Sequence, residues 1–482
     1  MIGAPAPDLY HYIVKAEGPF TGFLQHVVNN LKADVGADMT SVCALRVASA
    51  PIASTHVAGS RFGAACQPGQ TAMDGYLLVC GSAGTFRYAL AEDMPATPPG
   101  GFVTRPAWYP PLSDVFRANA PPSCPASGRV TLTHSVMPVD QLGPSTSQGA
   151  MIFEHVTPID HGYIGIKALD KPLAQRTEAD YVPVYAPADA EIIEISLLGS
   201  ARSIRIVMAH GCETYSVIMV LNRLSGVLAH LQDQLQTQGR VTTHINVLAG
   251  DKIGEQRDNP LDFAINDGAA WLSGFVAPMS YAAEGWKPFT VDPFPYFTPA
   301  VASALESTLR RLTAPRWGTI DQDVQGTAAG NWFLAGSVGY SGRTVAMFQS
   351  ATQRIMGGPV AGKNAASWSH LALARYWQFP TVWIYSAGWW RDADGDPVQW
   401  VLETGEGKPA PAALSPDYGT VVYRLRRVPQ STDPSVFLTT QIMGIVAIQV
   451  NEDETLTIEP IPGVEDPSSF TGFSAAKRIY RR

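Results

Sequence analysis

Apolar residues in this chain recur in short blocks, and most blocks show the two-residue alternation or the β-branched content of strands. Gly, Pro, Asn and Asp separate the blocks and supply turns. This pattern predicts a mainly β protein with antiparallel strands. The strand-like blocks are residues 75–80, 85–90, 190–195, 204–208, 331–338, 381–385, 398–402, 420–425, 442–450 and 455–459.

Helical spacing is confined to three segments of the chain. Apolar residues recur at intervals of three or four positions in residues 20–32, 222–238 and 299–312. We therefore expect helices only there, flanking the β-rich segments rather than replacing them.

The density of prolines divides the chain, which at 482 residues is too long for one hydrophobic core. Prolines are crowded into residues 95–125, and proline cannot donate the hydrogen bond that a central strand requires. This segment is predicted to be a linker or an extended wrap over a neighbouring surface. The predicted division is an N-terminal region of unassigned role (1–130), a β domain (131–300), a helical linker (301–317) and a C-terminal all-β domain (318–482).

The C-terminal segment is predicted to form a small barrel or a sandwich, because at least six short strands follow one another there. Its first strand contains Gly330-Asn331-Trp332. This triplet resembles the Gly-x-Trp opening of lipocalin-like barrels, which makes a calycin-like barrel one form that the domain can take.

Composition limits the class of partner. Only 16% of the residues are charged and the net charge is −8, which disfavours a nucleic-acid partner because phosphate binding needs a basic surface. No apolar run approaches the roughly 20 residues of a transmembrane helix. The first twenty residues lack the basic flank and apolar block of a signal peptide.

Cysteine usage favours an exported protein. Cys43, Cys66, Cys80 and Cys124 lie close together in the sequence without C-x-x-C spacing, so they suit two disulfides of an exported domain or four buried thiols. An extracellular or periplasmic location is expected, with a signal missing from this sequence. A cytoplasmic location is the alternative.

Four phrases between residues 158 and 265 follow one another in a distinctive order. They read PIDHGYIGI (158–166), VYAPADAEIIEI (184–195), VLAGDKIG (247–254) and PLDFAI (260–265). Their order and spacing resemble the lysostaphin-type zinc endopeptidases, which cut peptidoglycan cross-bridges. The resemblance implies a lysostaphin-type antiparallel β barrel or sandwich over residues 131–300.

The resemblance also implies an incomplete zinc site. In that family the zinc is bound by the His and Asp of a His-x-x-x-Asp motif and by the second His of a His-x-His motif. His161 falls on the first position, whereas Gly165 replaces the aspartate and Asp262 replaces the ligating histidine. A catalytic zinc needs about three protein ligands, and glycine supplies none. No catalytic residue and no metal are therefore expected.

The positions of the family's assisting histidines are changed as well. Pro260 occupies one of them, and Val220 or Met219 occupies the other. A third metal ligand could come only from residues outside the family's motifs, and His155, His210 and Asp160 are the candidate cleft residues.

Three functions follow from these residues. The first is a non-catalytic, peptidase-like protein that binds a cell-wall glycan or peptide, or a protein partner. The second is a zinc metalloendopeptidase with an altered ligand set, made of His161, Asp262 and one of His155, His210 or Asp160. The third is a structural or assembly module of an envelope or virion. The absent metal triad favours the first function over the second.

Overall fold

A computed structural model describes most of the chain from residue 130 onward and shorter pieces before it. The described residues are 41–47, 50–52, 76–81, 84–89, 102–106, 109, 111–116, 130–198, 202–211, 213–335, 337, 339–341, 367–390, 397–429 and 434–482. The helix predicted at residues 20–32 lies outside them. The side chains of Cys43, Cys66, Cys80 and Cys124 are also outside the described part, so the choice between disulfides and buried thiols stays a prediction.

The protein is mainly β, as predicted, with antiparallel sheets and a closed eight-stranded barrel. Four early strands form one antiparallel sheet in the order β2-β1-β3-β4. They are β1 (Ser41–Val47), β2 (Ala50–Ile52), β3 (Tyr76–Gly81) and β4 (Gly84–Ala89). The strands predicted at residues 75–80 and 85–90 correspond to β3 and β4.

A larger antiparallel sheet, here called the main sheet, occupies the centre of the chain. Its strands are β5 (Leu142–Thr146), β6 (Gly162–Ile166), β8 (Ala190–Leu198), β9 (Ser203–Ala209), β10 (Thr214–Leu221), β12 (Arg240–Val247), β14 (Leu261–Asp267) and β15 (Thr290–Val291). They run in the order β12-β8-β9-β10-β14-β6-β5, and β15 also pairs with β14. The central position of β14 explains why every one of its residues is buried.

A second, three-stranded sheet packs near the main sheet. Its strands are β7 (Val182–Tyr185), β11 (Arg223–Leu224) and β13 (Lys252–Gln256), in the order β11-β13-β7. Ile192, Ile206 and Phe263 from the main sheet and Val184 and Ile253 from this sheet belong to one hydrophobic core. Alternate residues along each strand point to one face, so the predicted alternation supplies this core directly.

Short helices border the strands. They are α1 (Leu112–Phe116), α2 (Gln232–Gln238) and α3 (Pro299–Ser307), and a 3-10 turn at Gly226–Leu231 precedes α2. Gly239 ends α2 in a left-handed conformation with φ of 73°, a common helix stop. Within the described ranges, no helix has the length and apolar character needed to cross a bilayer.

The two helices predicted in this part of the chain are confirmed but shorter than expected. Residues 222–224 belong largely to β11 rather than to a helix. Helix α3 begins at Pro299, a residue well suited to a first helical turn, and stops at Ser307 because Leu309 forms a β-bridge with Ser145. Part of the predicted linker 301–317 is therefore tied to the main sheet.

The described part of the proline-rich segment wraps over the main sheet. Tyr109 is buried and its hydroxyl donates a hydrogen bond to the carbonyl of Gly285 at 3.1 Å. Phe116 packs against Tyr215 of β10 with ring centroids 4.8 Å apart. These residues therefore adopt the extended wrap, which is one of the two structures expected for this segment.

The C-terminal strands close into a barrel. They are β16 (Gly330–Leu334), β17 (His370–Arg375), β18 (Trp383–Ala387), β19 (Val398–Leu402), β20 (Val421–Arg427), β21 (Ile442–Val450), β22 (Thr455–Pro462) and β23 (Arg478–Arg481). Each strand pairs with the next, and β23 pairs with β16. Of the two predicted forms, barrel and sandwich, the barrel is the one observed.

Large side chains fill the core of the barrel. Trp332, Tyr385, Tyr423 and Tyr480 are all buried and belong to one apolar cluster. The guanidinium of Arg482 lies over the Trp332 ring, 4.1 Å from its centroid. The tryptophan of the Gly-x-Trp triplet thus lies in the barrel core. The domain limits predicted from the sequence remain predictions.

Glu194 of β8 provides a test of buried charge in the main sheet. Its carboxylate contacts Arg205 at 3.0 Å and Arg240 at 3.1 Å and accepts a hydrogen bond from Ser196 at 2.8 Å. Burial opposes ionisation, but the two arginines and Ser196 together lower the pKa of Glu194 below its ordinary value of 4.5. The stability from this lowered pKa is present above pH 4.5 and is lost as the pH falls through the folded-state value.

Glu194→Gln is therefore expected to lower the free energy of unfolding at pH 7 by about 2–4 kcal/mol, because two partly buried arginines lose their counterion. The deficit should shrink in acid, where the native protein loses the same charge. Urea unfolding at pH 7 and pH 4 measures both values. Glu191→Gln is the control on the same strand, since Glu191 pairs with the exposed His244. Equal deficits at both pH values would contradict the assignment.

Candidate functional site

A cleft of about 1320 Å³ lies between the main sheet and the outside of the barrel. One wall comes from a turn that precedes β6, a second from the main sheet and a third from the barrel. The lining residues used below are Phe153, Glu154 and His155 from the turn, Tyr163, Val220 and Asp262 from the sheet, Tyr376, Trp377 and Gln378 from the barrel, and Arg310.

The floor of the cleft is built by two neighbouring strands. Asp262 of β14 lies opposite Tyr163 of β6, and His161 lies two residues before Tyr163. Residues two apart in an extended chain point the same way, so His161 and Tyr163 share a face with Asp262. His161 Nε2 is 3.4 Å from Asp262 Oδ2. The other oxygen of Asp262, Oδ1, is buried and has no hydrogen-bond partner among the described residues.

Further charged groups lie behind His161. Its Nδ1 is 3.0 Å from Asp160 Oδ1, and Trp286 Nε1 donates a hydrogen bond to Asp160 Oδ2 at 2.7 Å. The ammonium of Lys287 lies 3.3 Å from Asp160 Oδ2 and 3.0 Å from Glu284 Oε2. We call the connected residues the charge chain. Its members are Glu284, Lys287, Asp160, His161 and Asp262.

The charge chain shifts the pKa values of its own members. Burial alone would raise the pKa of Asp160, but Lys287, His161 and Trp286 bring it below its usual range. Burial lowers the pKa of His161, but the carboxylates of Asp262 and Asp160 raise it. The net effect is a pKa above the ordinary value. Burial raises the pKa of Asp262 to about 6, against the attraction of His161. The raised pKa of His161 favours its cationic form beside the Asp262 carboxylate.

His155 lies beside this pair without sharing its charge. Its ring centroid is 5.6 Å from that of His161, in an edge-on arrangement. Burial, aided by the nearby His161 and Lys287, lowers the pKa of His155 to about 3. The His155 ring is therefore neutral at physiological pH.

Two lining residues have an unusual backbone. Val220 has φ of 62°, at a point where the pairing register between β9 and β10 shifts. Phe153 has φ of 53°, and 74% of its surface is exposed. Left-handed conformations are disfavoured for β-branched and aromatic residues and concentrate at ligand sites. The strain thus occurs on two sides of the same cleft.

The structure brings together His155, Asp160, His161 and Asp262, four of the residues named from the sequence. His210 is placed elsewhere, at the end of β9. Its Nε2 lies 2.7 Å from the Ser216 hydroxyl and its Nδ1 lies 3.0 Å from the Asp189 carbonyl. Both ring nitrogens of His210 are therefore engaged outside the cleft.

Gly165 has a structural reason to be glycine. Strand β5 crosses it so closely that a Cβ atom at residue 165 would lie 2.1 Å from the carbonyl oxygen of Pro144. The Gly165 amide also donates a hydrogen bond to the Ser145 hydroxyl at 3.0 Å. The space that an aspartate side chain would need is thus occupied by the backbone of β5.

The residues at this site do not fit the zinc of the lysostaphin-type family. One nitrogen of His161 faces Asp160, the other faces Asp262, and Gly165 cannot supply a ligand. In the described part of the chain, no group of three or more His, Cys, Asp or Glu side chains is arranged to hold a metal ion.

We expect purified protein to bind no stoichiometric zinc, and Gly165→Asp not to create a site, because the new side chain would meet the β5 backbone. Metal analysis after dialysis against zinc measures the content, with His161→Ala as the control for ligation by this histidine. One zinc per chain that disappears in His161→Ala would contradict the expectation and restore the metallopeptidase alternative.

Sequence reasoning did not find Lys287, Glu284, Trp286 or the barrel residues of the cleft. Lys287 stands between Trp286 and Pro288 in an aromatic stretch, and a lone lysine in such surroundings is the signal that could have marked it. Nothing in the local pattern indicates that Tyr376 and Trp377 face the main sheet.

Comparisons with known proteins give little support for a family. No family model matches the chain, and no curated protein matches it. A solved structure titled "NMR solution structure of lysostaphin" is similar at 11% identity, covering 72% of this chain and 90% of that chain, with a TM-score of 0.22. At that identity and score the similarity carries no argument about function.

Proposed function

We propose that this is a non-catalytic binding protein of the cell envelope and that its cleft takes a segment of cell-wall peptide or glycan. The observation that carries the proposal is the cleft itself, which combines aromatic walls with a floor carboxylate that has no hydrogen-bond partner on one oxygen within the described part of the chain. Ligand sites typically join apolar walls to a few fixed polar groups. The volume suits an extended segment better than a compact small molecule.

The chemistry of the floor favours binding over catalysis. His161 is held between two carboxylates, and its charge is matched by Asp262. Such a pair presents a fixed acceptor to the cleft without activating a water on a metal. The proposed location in the cell envelope depends on the four sequence phrases and on the expected export of the chain.

We also propose that the main sheet is a degenerate relative of the lysostaphin-type peptidases. The four phrases fall on β6, on the β7–β8 connection, on the β12–β13 connection and on β14. His161, which falls on the first ligand position, and Asp262, which replaces the ligating histidine, have Nε2 and Oδ2 only 3.4 Å apart. This juxtaposition supports the relationship, and the close packing of Gly165 against β5 leaves no room for the aspartate ligand of that family.

The experiment is a calorimetric or NMR titration of the full chain with soluble muropeptides and, separately, with their sugar and peptide portions. We expect saturable binding that Phe153→Ala weakens roughly 10-fold, since exposed aromatic anchors dominate such interfaces. Tyr418→Ala is the matched control, an exposed aromatic on the barrel that does not line the cleft.

Two results would contradict this function. The first is absence of binding by every muropeptide fraction, which would favour the structural or assembly role. The second is binding that Phe153→Ala and Tyr418→Ala affect equally, which would place the ligand outside the cleft.

A further inference from the structure

The floor of the cleft contains an acceptor that the protein itself leaves unused. Asp262 is only 5% exposed, yet it lines the cleft and its Oδ1 has no hydrogen-bond partner among the described residues. A buried carboxylate oxygen ordinarily accepts hydrogen bonds, and leaving one unsatisfied is costly. Because Oδ2 already faces His161, Oδ1 is the atom that remains for a ligand.

The charges around this oxygen select the kind of donor. The charge chain contains three carboxylates, Glu284, Asp160 and Asp262, against two cations, Lys287 and His161. Glu154 adds another carboxylate at the exposed turn of the same cleft. This excess of negative charge favours a cationic donor over a neutral one, since charged hydrogen bonds are the stronger.

The other lining groups are compatible with a cation. Tyr163 and Trp377 contribute aromatic rings to the lining, and aromatic rings attract ammonium groups. His155 is neutral and does not repel one. Arg310 is the lining residue of positive charge, and its exposed position suits a contact with a different, anionic part of the ligand.

We infer that the cleft binds a primary ammonium group, with Asp262 Oδ1 as its buried acceptor and Glu154 as the second carboxylate at the entrance. The inference rests on the proposed binding function and adds the chemistry that the ligand must present. A peptide amino terminus and an amino sugar both carry this group, and an acetylated amine of either kind lacks the charge.

The test compares matched probes by NMR titration of the full chain. The peptide probes are trialanine amide and its N-acetylated form, and the sugar probes are glucosamine and N-acetylglucosamine. We expect the free amine of at least one pair to bind about 10-fold more tightly than its acetylated partner, as expected when a buried carboxylate loses its charged donor. The pair that shows the preference identifies the source of the amine.

Two variants assign the preference to residues. Asp262→Asn should reduce the preference to about 2-fold or less, because an amide oxygen keeps the shape of the site but loses the charge. Glu154→Gln should weaken binding of the free amine about 3-fold, and because Glu154 is exposed the variant should fold like the native protein. Glu406→Gln, an exposed carboxylate in a barrel turn, is the control and should change nothing.

The outcomes separate the inference from the proposed function. Equal binding of free and acetylated probes, or a preference that survives in both Asp262→Asn and Glu154→Gln, overturns the ammonium site. Muropeptide binding would then still support the cleft as a binding site. Absence of binding by the probes and by the muropeptides overturns both.

Discussion

Lys287→Met is expected to lower the free energy of unfolding by about 3–5 kcal/mol at pH 7, the usual cost of removing one partner from a buried ion pair. Lys287 is 2% exposed, lies between Asp160 and Glu284, and places its ammonium 4.6 Å from the centroid of the Tyr340 ring. Methionine matches its length but leaves both carboxylates without this cation. Urea unfolding followed by circular dichroism measures the change.

Lys252→Met is the matched control for that substitution. Lys252 also pairs with a glutamate three residues away in sequence, Glu255, but 38% of its side chain is exposed. Exposed pairs contribute about 0–1 kcal/mol, so the control should lose little stability. Similar losses in the two variants would show that the charge chain does not hold the main sheet together.

Arg482→Ala is expected to lower the free energy of unfolding by about 2–4 kcal/mol. Its guanidinium stacks on Trp332, donates to the carbonyls of Val324 at 3.1 Å and Thr327 at 2.8 Å, and contacts Glu454 at 3.1 Å. Burial raises the pKa of Asp323 to about 6 even with Arg482 nearby. Removing the arginine leaves that carboxylate with less compensating charge.

Arg481→Ala is the control, since Arg481 is the neighbouring residue at the end of β23 and its side chain is exposed. Thermal unfolding of both variants separates the specific contacts of Arg482 from a general effect of removing a cation. Arg482→Lys should fall between the native protein and Arg482→Ala, because lysine keeps the charge but cannot donate to several carbonyls at once. Equal melting temperatures for Arg481→Ala and Arg482→Ala would contradict this role.

Much of the strand content could be predicted because strands are favoured by patterns of residues that are close together in the sequence. The β-branched run at residues 204–208 forms β9, and the nearly continuous apolar run at 442–450 forms β21. Both signals come from neighbours in sequence. Barrel and sandwich could not be distinguished, because closure depends on pairing between β16 and β23, two strands at opposite ends of the segment.

The candidate site was predictable only where a motif marked it. His161 and Asp262 were named together from the four phrases, and the structure places them within 3.4 Å. Lys287 and Trp286 approach Asp160 from more than a hundred residues away, and no periodicity encodes that approach. The packing that requires glycine at residue 165 likewise involves the backbone of β5, which the sequence does not specify by itself.

The pairing of β23 with β16 has a consequence for the order of events during synthesis. Phe333 pairs with Arg481, so the barrel stays open until nearly all of this segment has left the ribosome. Contacts between residues so far apart in sequence form slowly, and the unpaired edges of β16 and β22 are exposed in the meantime. Nascent chains of this protein should therefore depend on chaperones that shield strand edges, more than a helical protein of equal length would.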